Sequence, residues 1–348
     1  MKLENVFNAS YQHYIADDFL ATYFFNKRIP LVITNVNSDN VTAVRDKLLD
    51  CYGDVEVSCV GEEEAVKVSE LCATDDDIMT LVVDGCKVTE CKRFDFSDFV
   101  QIMKRLRADD GCEWDRAQTH ESIRINLIEE AYELDEAIDC KSAEMMREEC
   151  GDVLMQAVFH TEIAEKNGEF NYCDMLTELC RKLIDRHTHI FGENHASNAD
   201  EALVFWNEAK KKEKKYKSTS DAMNRVPKNL PALMYVDKIL KLAKKAGFYW
   251  DNTDGALDKV REELVELKEA NDSDAHRVEE AGDVLLAAVK AVRMFGVEPE
   301  MALREAGDKY LRRFAFVEQS AKAIGKETND CTLEELMAFW NMAKSKES

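Results

Sequence analysis

Glu129-Glu130-Ala131-Tyr132-Glu133-Leu134-Asp135-Glu136, with Glu148-Glu149-Cys150-Gly151-Asp152-Val153-Leu154 downstream, is the stretch on which the reading of this chain turns. The same pattern returns as Glu262-Glu263-x-x-Glu266-x-x-Glu269 and Glu279-Glu280-Ala281-Gly282-Asp283-Val284-Leu285. Lys182-x-x-x-Arg186 recurs as Lys309-x-x-x-Arg313. Phe205-Trp206-Asn207 recurs as Phe339-Trp340-Asn341, and in both copies Ala-Lys stands two residues on. Order and approximate spacing match throughout, so one module is duplicated.

The spacing within the module is helical. At 3.6 residues per turn, Glu130 and Glu133 are neighbours on one face, flanked by Glu129 and Glu136. The apolar stripe Ile123, Leu127, Ala131, Leu134, Ile138 lies opposite. Glu149 and Asp152 are again three apart on the next helix. If the two helices pack antiparallel, four carboxylates converge, and their repulsion needs a compensating charge. Three readings compete: a solvated acidic face, a di-iron bundle, and a site for a hard divalent cation. A solvated face does not account for the repetition, nor for Gly151-Asp152 and Gly282-Asp283 interrupting apolar runs, since glycine inside a helix costs about 1 kcal/mol. A di-iron bundle requires Glu-x-x-His ligands, and aspartate holds that slot in both copies. Oxygen donors of this kind select Mg²⁺ or Mn²⁺.

Outward from the repeat, the composition sets limits. At 348 residues the chain holds about two or three domains, and 45% apolar with 33% charged residues is a globular composition. A net charge of -23 repels nucleic-acid backbones, so no nucleic-acid partner is expected, while a cation bridging to a small phosphate ligand is compatible with it. The 11 cysteines are odd in number and form no CxxC pair, which reads as reduced cytoplasmic thiols without structural zinc. Met1 to Tyr11 carries no signal-peptide pattern, and no apolar run approaches the ~18 residues of a membrane span. The expectation is a cytoplasmic protein with no membrane partner.

Residues 1–95 read differently from the rest. Leu31–Val36, Val55–Gly61 and Ile78–Gly85 look like strands, with helical-looking stretches at Asn40–Cys51 and Glu62–Cys72 between them. The run Asp75-Asp76-Asp77 is read as a solvated turn. From Phe96 onward the pattern is helical: 96–106, a long helix capped by Thr119, one from Ser142 to Asn167-Gly168, one from Asn171 to His187, and one carrying Ala202–Glu213. Lys210–Pro231 has the composition of a linker. The expected architecture is mainly α, with a small α/β domain (1–95), a first helical unit (96–217), a linker (218–229) and a second helical unit (230–348).

At the acidic motifs the resemblance becomes specific. EExxE followed by ExxD is similar to the MazG family of all-α nucleoside triphosphate pyrophosphohydrolases. Gly111-Cys112-Glu113-Trp114-Asp115-x-x-Gln118-Thr119-His120 resembles that family's GCPWDxxQTH motif, with Glu113 where the family usually has proline. Lys182–Phe191, Leu230-Pro231-Ala232-Leu233-Met234 and Gly247-Phe248-Tyr249-Trp250 resemble further family stretches, and together the matches cover about two-thirds of the chain. Leu31–Gly85 is similar to the second half of the tetrapyrrole-methylase-like domain that precedes MazG units in some bacterial relatives. The glycine-rich half of that domain has no counterpart in this sequence, so methyl transfer is not expected.

The resemblance implies Mg²⁺-dependent hydrolysis of a nucleoside triphosphate to the monophosphate and pyrophosphate, in nucleotide-pool housekeeping, with Mn²⁺ a possible substitute. The implied ligands are Glu130, Glu133, Glu149 and Asp152, and Glu263, Glu266, Glu280 and Asp283. Glu129 and Glu262 would orient or deprotonate the attacking water. Lys182 with Arg186, and Lys309 with Arg313, either clamp phosphate oxygens or form salt-bridged helix ends. Trp114, Trp206, Trp250 and Trp340 either stack on the base or pack at helix interfaces. His187 and His189 read as packing or first-unit specificity, since Phe314 and Phe316 replace them in the second copy. Family sites are typically completed across a helical dimer, so a homodimer is expected. The alternative is a nucleotide-binding regulatory or assembly protein with one or both units catalytically silent.

Overall fold

The computed structural model describes residues 10–23, 25–73, 78–214, 216–270 and 273–347. The run Asp75-Asp76-Asp77 lies outside them. The chain folds into two compact units, residues 1–184 and 185–348.

The first unit begins with a five-stranded sheet in the order β1-β2-β5-β3-β4. The strands are β1 (Gln12–Ile15), β2 (Leu31–Val36), β3 (Glu56–Cys59), β4 (Val66–Lys67) and β5 (Met79–Val83). β1 pairs parallel with β2, and the remaining pairings are antiparallel. Helices α1 (Ala16–Ala21) and α2 (Val41–Cys51) complete this α/β domain. Its core is Phe19, Leu31, Ile33, Val36, Val44, Leu48, Val57, Val68, Leu81 and Val83, all inaccessible to solvent. Residues 62–72 are not helical as their composition suggested. Val66 pairs with Val57, Val68 enters the core, and a single 3₁₀ turn (Val68–Glu70) follows, because alternating β-branched residues fit a pleated edge better than a helix. The sheet is anchored to the helical region by a buried ion cluster. Lys27 Nζ lies 2.8 Å from both Asp95 and Asp98, and Asp95 caps the next helix, α3 (Phe96–Leu106). Burial alone would lower the Lys27 pKa; the two carboxylates outweigh it and raise it.

After the short α4 (Glu113–Ala117) come α5 (Arg124–Asp139) and α6 (Ala143–Asn167), an antiparallel hairpin, and then α7 (Tyr172–Arg186), which crosses the boundary between the compact units. The caps agree with the sequence signals: Ser142 accepts from Met145 N–H, and Gly168 takes φ 72, the left-handed conformation that ends a helix. Thr119 does not cap α5. Thr119 and Ser122 exchange hydrogen bonds in a turn of their own, which delays the helix to Arg124.

The second unit holds α8 (Thr188–Phe191), α9 (Ala199–Lys214), α10 (Thr219–Asn224), α11 (Ala232–Lys245), α12 (Thr253–Glu269), α13 (Asp274–Met294), α14 (Pro299–Ala323) and α15 (Leu333–Lys346). Lys245 donates to Asn207 Oδ1 at 2.9 Å, which ties α9 to the helices that follow it. The stretch read as linker contains α10, capped by the Ser218 hydroxyl. The protein is thus mainly α, with one small N-terminal sheet domain.

The helical region buries few large apolar side chains. Of the largest fully buried residues, Val158 alone lies outside the α/β domain. Leu127, Ile128 and Ile138 of α5, and Leu264, Val265, Leu285 and Leu286 of the α12–α13 hairpin, are exposed. The apolar stripe of α5 is therefore real in sequence, but the described residues of its own unit leave it uncovered apart from Ile123 and half-buried Leu134. Among the described residues no helix is long and apolar enough to cross a membrane.

Candidate metal and nucleotide sites

The α5–α6 hairpin brings Glu130, Glu133 and Glu149 together, each offering a carboxylate oxygen within 4.8 Å of the others. Glu130 and Glu149 are half-buried, Glu133 is exposed, and Asp152 is half-buried beside the trio. Burial first, then the charges of Asp152 and Glu133, raise the Glu130 pKa above the ordinary carboxylate value. Glu149 is raised likewise, by desolvation and then by Glu133, Glu148, Asp152 and Glu130. Its Oε2 is buried with no hydrogen-bond partner among the described residues. Mutually repelling carboxylates, hard donor atoms and one buried oxygen without a donor are what a divalent cation would satisfy, so these residues fit such an ion. Gln156, one turn beyond Asp152, is buried and hydrogen-bonded to Glu130.

The α12–α13 hairpin repeats the arrangement with Glu263, Glu280 and Asp283 inside the same 4.8 Å limit. Here Glu266 is the fourth acid, outside the trio but hydrogen-bonded to Glu263, a bond that raises its pKa. The electrostatics differ from those of the first hairpin. Lys259 Nζ reaches Glu262 at 2.6 Å and Glu263 at 2.8 Å, and His276 Nε2 is 3.1 Å from Glu280. Hydrogen bonds to Glu262 and Glu263 raise the Lys259 pKa, so this cluster carries a fixed cation. The corresponding first-unit positions are Asn126 and Met145, so nothing in the repeat itself announced Lys259 or His276.

The two arginines expected at phosphate are engaged by carboxylates. Arg186 is buried and forms a two-pronged pair with Glu213, at 2.7 and 3.0 Å, with its guanidinium 5.1 Å from the Trp206 ring centroid. Arg313 repeats this with Glu347 at 2.7 Å and Trp340 at 5.8 Å. Glu213 and Glu347 escaped the sequence reading. The signal was there, since each lies seven positions after its tryptophan. Lys182 is half-buried, and Lys309 is exposed beside Arg312 in a shallow depression of α14. Trp206 meets the edge of His187 and Trp340 packs on Tyr310. Trp114 is 64% exposed, whereas half-buried Trp250 is covered by Lys290. Glu129 and Glu262 are both exposed at the rims of their clusters.

Fold and clusters together define the class: helical hairpins that carry hard oxygen donors, twice over. Residues 118–191 match the model of the MazG nucleotide pyrophosphohydrolase domain. The chain is 42% identical over 249 residues to the nucleoside triphosphate pyrophosphohydrolase/pyrophosphatase MazG of Thermotoga maritima, covering 72% of this chain and 95% of the relative. The nucleoside triphosphate pyrophosphohydrolase of Escherichia coli (strain K12) is 37% identical over 251 residues, at 71% and 95% coverage. A Bacillus subtilis protein of uncharacterized activity, YabN, is 36% identical over 311 residues, spanning 87% of this chain and 63% of its own length. The chain belongs to the MazG nucleotide pyrophosphohydrolase family.

Proposed function

We propose that this chain hydrolyses nucleoside triphosphates to nucleoside monophosphate and pyrophosphate in a reaction that requires Mg²⁺, with Mn²⁺ able to replace it, and that it serves nucleotide-pool housekeeping. The observation that carries this reading is the pair of convergent carboxylate trios on a chain that matches the Thermotoga maritima and Escherichia coli pyrophosphohydrolases over 95% of their length. The ligands would be Glu130, Glu133, Glu149 and Asp152 in one hairpin and Glu263, Glu266, Glu280 and Asp283 in the other. The cation, when bound, supplies neutralisation of the triphosphate charge. Glu129 and Glu262, at the rims, would hold the attacking water and take its proton. Lys182 and Lys309 would meet phosphate oxygens. Arg186 and Arg313, fixed on Glu213 and Glu347, would hold Trp206 and Trp340 in place unless nucleotide displaces the glutamates.

A second reading, in which one unit binds nucleotide without turning it over, is favoured by one observation: the second cluster contains Lys259 and the first has no such lysine. A homodimer is part of the proposal, supported by the exposed apolar faces of the hairpins. So is the division of the duplicated sequence into 1–95, 96–217, 218–229 and 230–348. The test is direct: pyrophosphate release from a panel of nucleoside triphosphates should vanish in EDTA and return with Mg²⁺ or Mn²⁺. Full activity in excess chelator, or release of a diphosphate and orthophosphate, would refute the proposal.

A further inference from the structure

Two of the 11 cysteines stand apart from the rest. Cys86 Sγ lies 2.9 Å from Cys91 Sγ, inside the roughly 3.5–4.0 Å at which even the smaller unbonded carbon atoms rest. Among the described residues no other two cysteine sulfurs are in contact. Both are free thiols, Cys91 buried and Cys86 half-buried. The backbone on either side builds this approach. Gly85 packs so closely on the segment leading into β2 that a Cβ there would lie 2.2 Å from the Arg28 carbonyl oxygen, and Cys86 N–H donates to the Lys27 carbonyl at 2.9 Å. The 3₁₀ turn Val88–Glu90 then folds the chain back, with Glu90 N–H on the Lys87 carbonyl and the Cys91 thiol on the same carbonyl at 3.5 Å.

The surroundings favour a bond between the sulfurs over two separate thiols. Burial first, then the hydrogen bond and charge of Cys91, push the Cys86 thiol up to about 12. A dithiol is a strong oxidant when its reduced form is stabilised, as a thiolate is by nearby positive charge. Here the thiolate is disfavoured and the two sulfurs crowd each other, so the reduced form has neither advantage. The Tyr52 hydroxyl is buried with no hydrogen-bond partner among the described residues, and burial, then the charges of Cys86, Cys51 and Cys91, raise its pKa. It is a donor available to a thiolate as one forms. Closing from 2.9 Å to the about 2.0 Å of a disulfide asks for ~1 Å of side-chain movement. Cys91 precedes Asp95 by four residues, so the bond would fix the connection that leads into the Lys27–Asp95–Asp98 cluster and α3.

We infer that Cys86 and Cys91 are a reversible redox site of the α/β domain, which closes to a disulfide by exchange with a small-molecule disulfide. The Cys86 sulfur, the more exposed of the two, loses its proton and attacks one sulfur of the reagent. The reagent's S–S bond breaks, and the leaving thiolate takes up that proton. The Cys91 sulfur then attacks Cys86 Sγ, the mixed disulfide breaks, and the second small thiol leaves with the Cys91 proton. Two protein thiols are thereby oxidised and one reagent disulfide is reduced to two thiols. An excess of small thiol runs the same steps backwards. The site lies wholly within the first unit and is independent of the nucleotide chemistry proposed above.

The test equilibrates the full-length chain with oxidised glutathione at a fixed concentration of reduced glutathione. The reaction is quenched in acid, free thiols are alkylated under denaturing conditions, and the peptides are mapped by mass. Cys86 and Cys91 should appear as one intramolecular disulfide, two hydrogens lighter and without retained glutathione. They should be half oxidised at about tenfold less oxidised glutathione than any other cysteine, because their second step is intramolecular. Dithiothreitol should restore both thiols. Cys91→Ser should retain glutathione on Cys86, and only at about tenfold more oxidant than the parent needs. Cys86→Ser should leave Cys91 unmodified at the parent's midpoint. Melting temperature shows whether each variant is folded, and the peptide map of the parent decides the question without either. Both thiols alkylated at every ratio, glutathione retained on Cys86 of the parent, or Cys86 paired with Cys51 instead, overturns the inference.

Discussion

Replacing Glu130 and Glu263 by glutamine, singly and together, probes the two clusters most sharply. The change keeps side-chain size and removes one of three converging oxygen charges from each trio. For folding the cost is small. Glu263 is buried, but glutamine keeps an oxygen that can accept from Lys259, which also retains Glu262; at Glu130 the change relieves repulsion and leaves an amide that can still pair with Gln156. For cation binding the cost is large. A bound ion at a hundredfold excess over its Kd contributes about 2.7 kcal/mol, and each kcal/mol moves a unit of 164 or 184 residues by roughly 2–4 °C, so Mg²⁺ should raise melting by on the order of 5–10 °C. Each substitution should abolish that rise for its own unit and lower its turnover by more than tenfold, equivalent to at least about 1.4 kcal/mol of barrier. Melting in EDTA and in Mg²⁺, with pyrophosphate release and helical circular dichroism, reads all three quantities. The double variant should be folded and inactive. If it keeps wild-type turnover, the ligand assignment is wrong. If Glu263→Gln alone abolishes activity and Glu130→Gln changes nothing, the second unit is the enzyme and the first is silent, the direction we favour because Gly247 to Trp250 keeps the family pattern where Glu113 departs from it.

Further outcomes follow from other parts of the molecule. Because the pKa values of Glu130 and Glu149 are raised, their contribution to stability is present in mild acid and is lost as pH rises through those values; in EDTA the first unit should melt higher at pH 5 than at pH 7.5, and Glu130→Gln should shrink the difference. Absence of any pH effect of the substitution would contradict the clustering. Lys27→Met leaves Asp95 and Asp98 buried without their counter-ion and should cost about 3–5 kcal/mol in chemical denaturation of the first unit, whereas a change below 1 kcal/mol would show that water reaches the carboxylates. The exposed apolar residues of the hairpins should drive self-association; sedimentation giving an active monomer at micromolar concentration would rule that out.

The duplication, the helices from Phe96 onward and the identity of the acidic residues were legible in the sequence, because helical periodicity, caps such as Ser142 and Gly168, and repeated motifs are local signals. The same locality explains the errors. Thr119 has the residue type of a cap but uses it in a turn with Ser122, and residues 62–72 have a helical composition overruled by pairing with a distant strand. Which carboxylates actually meet, three from each quartet and not the same three, was decided by packing of the hairpins. So were the pairing of Arg186 with Glu213, the lysine inside the second acidic cluster, and the burial of Lys290 against Trp250. Sequence records which groups a helix face carries; only the tertiary structure sets the distances and the solvent exclusion on which their charges depend.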